Sequence, residues 1–337
     1  MAQHVNLDQV PAPAGAEPSA VTMDVVARTG AQIGGAMARV ILGKPDVIRL
    51  ALVALLTEGH LLIEDVPGTG KTSLAKALAR SVEGTVSRVQ FTPDLMPSDV
   101  TGVSVYDRQT SQFTFRPGPV FANIVVADEI NRASPKTQSA LLEAMEERQV
   151  TVDGNTYRLA RPFLVLATQN PVEMEGTYPL PEAQRDRFFA RTALGYPDPA
   201  SEVAMLAGHD RADPLDTLSA VADTATVTRL IAAVATVQIA PALRSYIVEL
   251  VSATRAMPEV RLGCSPRAVL HLGRATKAAA ALDGRDYVVP DDIQRLAGPV
   301  LAHRLLLTTE AHAAHRSAED IIGALLGRIR VPQAGRV

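Results

Sequence analysis

Apolar positions recur at helical spacing from Thr22 to about Leu42. A second helix is predicted over Pro45 to Thr57, with proline in its first turn and Gly59 as its stop. The period then changes. Short buried-type runs at Leu61–Ile63, Thr85–Phe91, Ile124–Ala127, Phe163–Ala167 and Phe189–Leu194 read as strands, and helical stretches lie between several of them. Ser134 followed by Pro135 marks the start of the helix carrying Leu141, Leu142, Ala144 and Met145. Such alternation predicts an α/β fold, a parallel five-stranded sheet with helices on both faces. Two stretches depart from it. Val103–Phe115 alternates around polar Asp107–Ser111, and Val150–Leu159 alternates around Asp153-Gly154, so both read as hairpins. Pattern alone leaves open whether they decorate the surface or act. After Tyr196–Pro199 the chain turns alanine-rich and helical, with breaks near Pro214, Pro241, Pro258, Pro266 and Pro290. The expected organisation is a flexible tail at 1–21, a strand–helix unit at 22–198 with inserts at about 98–118 and 149–161, an all-helical unit at 199–332 and a short tail at 333–337.

Composition narrows the function classes. The 337 residues suffice for a domain plus a lid, and a net charge of −3 supplies no global attraction for nucleic acid or anionic membrane. Trp is absent and aromatics make up 4%, leaving few platforms for stacking on bases. The hairpin stretches carry only Arg108 and Arg158 among basic residues, so a nucleic-acid motor is disfavoured. Cys264 is the single cysteine, which excludes an internal disulfide and a multi-thiolate zinc site. His312 and His315 lack a completing ligand, and Cys264 lacks an activating partner. No stretch reads as a signal peptide or approaches the roughly 20 apolar residues needed to span a bilayer. The expectation is a soluble cytoplasmic protein with no integral membrane segment.

The chemistry concentrates at Glu64-Asp-Val-Pro-Gly-Thr-Gly-Lys-Thr72, between an apolar strand and the helical run that starts at Ser73. Strand, glycine turn and helix N-terminus together make a phosphate cradle whose backbone N–H groups point inward. Pro67, Gly68, Thr69, Gly70 and Ser73 form its wall; Lys71 is placed to reach the β- and γ-phosphates, and Thr72 to ligate Mg²⁺. One position departs from G-x-x-x-x-G-K-[ST]: Asp65 stands where the first Gly is expected. A nucleoside triphosphate with Mg²⁺ is the implied ligand. Ile124–Ala127 ends in Asp128-Glu129, 57 residues after Lys71. A strand tip there puts Asp128 beside Mg²⁺ and lets Glu129 polarise an attacking water. The next core strand ends in Thr168-Gln-Asn-Pro171; its tip falls on the same sheet edge, where Asn170 can orient the water or meet the γ-phosphate.

The run Asp128-Glu-Ile-Asn-Arg-Ala-Ser-Pro-Lys-Thr-Gln-Ser-Ala-Leu-Leu-Glu-Ala-Met-Glu-Glu147, together with Thr168–Pro171, Tyr178-Pro-Leu-Pro-Glu-Ala-Gln184 and Ser265-Pro-Arg267, resembles the MoxR family of AAA+ ATPases. The likeness covers roughly Val25 to Ile329. It implies an αβα AAA+ core followed by a helical lid, a homo-oligomeric ring that is usually hexameric, and ATP bound between neighbours. It further implies Glu129 as the water-activating residue, Asn170 as sensor 1, Arg187 as the arginine finger and Arg267 as sensor 2. Asp65 in place of the first Gly matches family members, Ile41-Leu42-Gly43 resembles the segment packed over adenine, and the hairpins resemble the helix-2 insert and the hairpin before sensor 1. Arg185, where the family usually has an apolar residue, competes with Arg187 for the finger role; two positions apart on a short helix, the pair points to different sides. The family implies chaperone-like remodelling, maturation or metal insertion of a client protein, commonly with a von Willebrand factor A-domain partner. An ATP-gated assembly switch with little turnover and a magnesium-chelatase-like ATPase subunit remain open as alternatives.

Overall fold

The structure is a computed structural model that describes residues 21–66, 68–170, 177–209 and 213–332. Apart from Val21, the predicted tails therefore lie outside the described residues, as do Pro67 and Pro171. The chain begins with α1 (Met23–Ala38) and α2 (Pro45–Thr57), followed by β1 (Leu61–Glu64), α3 (Lys71–Ser81), β2 (Val86–Gln90) and α4 (Pro97–Thr101). It continues through β3 (Gly102–Asp107), β4 (Gln112–Pro117), β5 (Ile124–Asp128), α5 (Pro135–Glu147), β6 (Gln149–Val152), β7 (Asn155–Arg158), β8 (Leu164–Gln169), α6 (Glu182–Arg185) and β9 (Ala190–Thr192). The remainder comprises α7 (Pro199–His209), α8 (Thr224–Ala235), α9 (Pro241–Ala253), β10 (Val260–Leu262), α10 (Pro266–Leu282), α11 (Pro290–Leu301), β11 (Leu306–Leu307), α12 (Thr309–Ala313) and α13 (Ala318–Arg328).

Five parallel strands form the central sheet in the order β2-β5-β8-β1-β9. Period-two alternation assigns each core side chain to a layer. Leu61, Ile63, Ile124, Val126, Leu164 and Leu166 face the side packed by α1–α3 and by the later helices. Leu62, Val125, Ala127, Val165 and Ala167 face the side packed by α5. All are buried, which is why these strands read as unbroken apolar runs rather than as alternating ones. The edge strand β2 is more exposed, with only Val89 buried. Both hairpins form where the alternation predicted them: β3 pairs with β4, and β6 with β7 through the left-handed residues Asp153 and Gly154.

Beyond β9 the fold is a helical lid, apart from a small antiparallel ribbon of β10 and β11. Pro241, Pro266 and Pro290 each occupy the first turn of a helix, so these prolines start elements as well as separate them. Helix α2 corrects one detail. Its stop is Glu58, in the left-handed conformation (φ 48°), and not Gly59. Gly59 is required for a different reason: a Cβ there would lie 2.4 Å from the Phe189 ring. Glu58 is buried, and Arg148 (2.7 Å) and Arg161 pair with its carboxylate.

His60, just before β1, is buried between β8 and α5. Its Nδ1 accepts from the Val165 N–H (3.0 Å) while Nε2 faces the Met145 carbonyl (3.0 Å), a neutral ring with the proton on Nε2. Burial pushes its pKa down to about 4, and burial lowers those of His271 (to about 3) and His303 in the same direction. Groups that refuse a proton when folded but take one when unfolded contribute stability above the unfolded value near 6.5. That stability is lost as pH falls toward 4. Between pH 7.5 and 5 the loss from His60 alone is expected to be about 2 kcal/mol. Urea unfolding at the two pH values measures it, and His60→Gln, which can keep both hydrogen bonds, is expected to flatten the dependence.

Candidate active site

Parallel register gathers the strand tips. Gln90 of β2 lies opposite Asp128 of β5, Ala127 opposite Ala167 of β8, and Gln169 opposite Glu64 of β1. The phosphate-loop candidate therefore leaves the sheet at the edge where Asp128, Glu129 and Asn170 end their strands. Gly68 (φ 84°) and Gly70 (φ 90°) both take left-handed backbone, and Gly70 caps α3 directly before Lys71. The result is a cleft of about 320 Å³ lined by Gly68, Gly70, Lys71, Thr72 and Ser73 on one side and by Asp128, Glu129, Thr168 and Asn170 on the other.

Within it, Lys71 donates to the carbonyls of Asp65 and Val66 (both 2.9 Å), and the Thr69 hydroxyl to Val66 (3.3 Å), bracing the loop. Thr72 Oγ1 lies 3.5 Å from Asp128 Oδ2. These are two hard oxygen donors beside a lysine at a helix N-terminus, a set that fits Mg²⁺ and a polyphosphate. The backbone is open at the turn, since a Cβ on Gly68 would meet nothing within 4 Å. The Thr168 hydroxyl donates to Asp128 Oδ1 (3.2 Å) and accepts the Glu129 N–H (3.0 Å), so β8 sets the orientation of both carboxylate residues. Glu129 itself takes left-handed backbone (φ 55°), at a cost on the order of 1 kcal/mol. Its Oε2 accepts from Gln90 (2.9 Å) and pairs with Arg132 (3.0 Å), while Arg88 pairs with Asp128 (2.6 Å). Sequence reasoning missed Arg88 and Gln90. Nothing in their local pattern marks them; only the adjacency of β2 and β5 does.

Asp65 is placed differently from the expected nucleotide contact. Its carboxylate turns away from the cleft and accepts three backbone N–H groups, from Val66 (2.8 Å), Leu194 (2.8 Å) and Gly195 (2.7 Å). It ties the loop to the segment after β9. Asp65→Gly, which would complete the usual loop pattern, is therefore expected to destabilise the fold by about 2–3 kcal/mol and to weaken nucleotide binding. Thermal unfolding and nucleotide titration of that variant check both expectations. Leu194 also borders a second cleft, of about 520 Å³, with Gly43, Val47, Leu50, Leu296 and Pro299. Its lining, mainly apolar with Lys44, Asp46, Arg49 and Arg295 also on it, suits a flat heterocycle. Gly43 is at its rim with left-handed backbone (φ 71°), whereas Ile41 is buried in the core behind it.

Arg187 and Arg267 are brought together, but not here. Both line a third cleft with Glu146, Arg148, His271 and Arg274, and none of its residues borders the Lys71 cleft. Arg187 Nε pairs with Glu146 Oε2 (3.2 Å), and Arg267 pairs with the other oxygen of the same carboxylate. Arg187 also donates to the Leu142 carbonyl (3.0 Å). Arg185 faces another cleft, shared with Arg191, Arg261 and His303. Cys264 is buried in the lid, where burial pushes its thiol up to about 11, a packing residue rather than a nucleophile. Among the described residues there is no cluster of His, Cys, Asp and Glu of metal-site size, and no helix is long and apolar enough to cross a membrane.

A sheet of this order with a loop-bearing β1, an Asp-Glu strand tip and a helical lid defines a class, the AAA-type ATPases. Residues 60–190 match the family described as "ATPase family associated with various cellular activities (AAA)", and residues 252–325 match the AAA lid domain. The chain is 43% identical to Chaperone MoxR1 of Mycobacterium tuberculosis, over 89% of this chain and 81% of that protein. It is 35% identical to Protein MoxR of Paracoccus denitrificans over 88% and 94%, and 52% identical to the uncharacterized YeaC of Bacillus subtilis over 87% and 92%. A solved structure of a presumed ATPase from Cytophaga hutchinsonii superposes with a TM-score of 0.87 at 39% identity, covering 92% of this chain and 97% of that one. The chain belongs to the MoxR family of AAA+ ATPases.

Proposed function

We propose that the protein is an ATPase that binds Mg²⁺-ATP in the Lys71 cleft and hydrolyses it at the interface between two copies of the chain. One observation carries this reading: Lys71, Asp128 and Glu129 border one cleft, and Arg187 with Arg267 borders another. Each chain thus offers two halves of a site, and a ring closes them against one another. In this reading Lys71 and the loop N–H groups hold the β- and γ-phosphates, Thr72 and Asp128 hold Mg²⁺, and the heterocycle lies in the apolar cleft beside Gly43. Mg²⁺ held by Thr72 and Asp128 would supply positive charge that offsets the negative charge of the phosphates. Glu129 accepts a proton from the water that Asn170 helps to orient. Arg187 and Arg267, once Glu146 yields them, stabilise charge on the neighbour's phosphates. Sensor 2 accordingly serves the adjacent chain rather than its own. The core at 22–198, the lid at 199–332 and a six-membered ring belong to the same reading.

The work of turnover falls to the hairpins. Phe113 is 74% exposed at the β3–β4 hairpin, beside the exposed Tyr106. Phe115 stacks on Tyr157 of the other hairpin at 4.0 Å and 15°, which links the two hairpins. An exposed aromatic tip on a braced support suits contact with a client polypeptide. Chaperone-like remodelling or maturation of such a client, in company with a von Willebrand factor A-domain protein, is the function this supports. The switch reading draws on one observation, that Gln90 and Arg132 already hold Glu129. ATP hydrolysis per subunit, followed against protein concentration, separates the two. Specific activity that rises with concentration is expected; a negligible rate with nucleotide-dependent assembly would favour the switch.

A further inference from the structure

Arg304 follows α11 and is buried, its side chain 1% exposed. All five of its N–H donors are used. Nε donates to the Val300 carbonyl (2.9 Å) of its own segment, and the other four reach away from it. One terminal nitrogen donates to both the carbonyl (2.7 Å) and the carboxylate of Asp186. The other donates to the Phe188 carbonyl and to His271 Nδ1 (2.7 Å). Asp186 and Phe188 are the two neighbours of Arg187 in the chain. The other carboxylate oxygen of Asp186 accepts from the Ser265 hydroxyl (2.9 Å) and lies 4.0 Å from Arg267 Nε; that same hydroxyl caps α10, the helix on which Arg267 stands.

A buried guanidinium is a costly element of a core; an apolar side chain of similar volume often serves stability as well or better. What an apolar side chain cannot do is hold two carbonyls and a carboxylate in one fixed fork. Removing it would free both flanks of Arg187 at once. We infer that Arg304 is a positioning residue for the arginine finger: with Asp186 it fixes the segment around Arg187 to the lid, so that Arg187 and Arg267 meet the neighbouring chain's nucleotide as one rigid unit. Arg304 does not itself touch nucleotide. The inference rests on the reading of Arg187 as a residue acting on the adjacent chain.

The test uses the full chain carrying Arg304→Lys, which keeps the charge but loses the fork, and Asp186→Asn, which keeps the shape but loses the charge. Displacement of a reacting or stabilising group by about 1 Å can cost about 10²-fold. Each variant is expected to lose about 10²-fold in kcat while the Kd for a fluorescent ATP analogue, measured on dilute subunits, stays within about twofold. Mixing with Glu129→Gln subunits, which have a disabled site but an intact finger, is expected to restore turnover at the variants' own sites. A purely structural lesion in the variant's own site would not respond to that partner. Arg187→Ala run in parallel separates the two ideas. Rescue of Arg187→Ala without rescue of the Arg304 and Asp186 variants would overturn the positioning role and leave the finger standing. Failure to rescue Arg187→Ala would remove the finger reading and this inference with it. Unchanged kcat in both variants would likewise overturn it, and should Arg304→Lys not fold, Asp186→Asn decides alone.

Discussion

Arg187→Ala is expected to lose about 10³–10⁵ in ATP turnover with nucleotide affinity of the isolated subunit unchanged. The size follows from what the guanidinium is asked to do. As a finger it would stabilise charge at the phosphoryl-transfer transition state in a site from which water is excluded, whereas a surface arginine paired with one carboxylate contributes little. The structure puts Arg187 on the rim of a cleft that contains no residue of its own chain's phosphate loop. In the proposed reading its effect crosses an interface, and activity is then expected to return when Arg187→Ala subunits are mixed with Glu129→Gln subunits. Arg185→Ala is the control, because Arg185 borders a different cleft, with Arg191 and Arg261. Steady-state hydrolysis of both variants above the assembly concentration is the measurement. An Arg187→Ala protein that kept more than about a tenth of wild-type turnover would sink the finger assignment, since no transition-state contact of this kind is worth so little.

Glu129→Gln is expected to lower hydrolysis by about 10²–10⁴ while leaving ATP bound. The amide preserves the shape of the side chain and its hydrogen bond with Gln90 but cannot accept a proton from water. Because the neighbouring Asp128, Thr72 and Lys71 are untouched, binding of nucleotide and of Mg²⁺ should persist, and assemblies formed with ATP should outlast those of the wild type. Single-turnover hydrolysis together with sedimentation in ATP reads both effects. If Glu129→Gln hydrolyses ATP at close to the wild-type rate while Lys71→Ala does not, the base lies elsewhere and the left-handed backbone at Glu129 needs another reason.

Much of this site was legible in the chain. Asp128 ends a buried strand, and Lys71, Thr72, Glu129 and Asn170 follow one; since strand ends in a parallel sheet share one edge, periodicity with the parallel order placed them together before any coordinate did. The same holds for the hairpin at Asp153-Gly154, whose two residues tolerate the backbone its turn requires. Other parts were silent. Asp65 read as a departure from the general loop pattern and as a nucleotide contact; only the segment after β9, 129 residues later in the chain, shows that its carboxylate clamps Leu194 and Gly195. Gly59 looked like a helix stop and is instead a place where Phe189 comes too close for any side chain. Arg88 and Gln90 gained meaning from the neighbour strand, and Glu146, in the last turn of α5, from the two arginines that share it.

The sequence by itself determined the local elements and the placing of the glycine loop and the carboxylate pair at strand ends, because spacing along a strand or helix fixes which side chains share a face or an end; the family was legible separately, from the resemblance of its long motifs. Tertiary structure alone decided the strand order, the direction of Asp65, the separate clefts of Arg185 and Arg187 and the partners of a buried Arg304. Each of those depends on which distant segment packs alongside. That is a matter of core shape and of where buried polar groups find partners, and no local period along the chain encodes it.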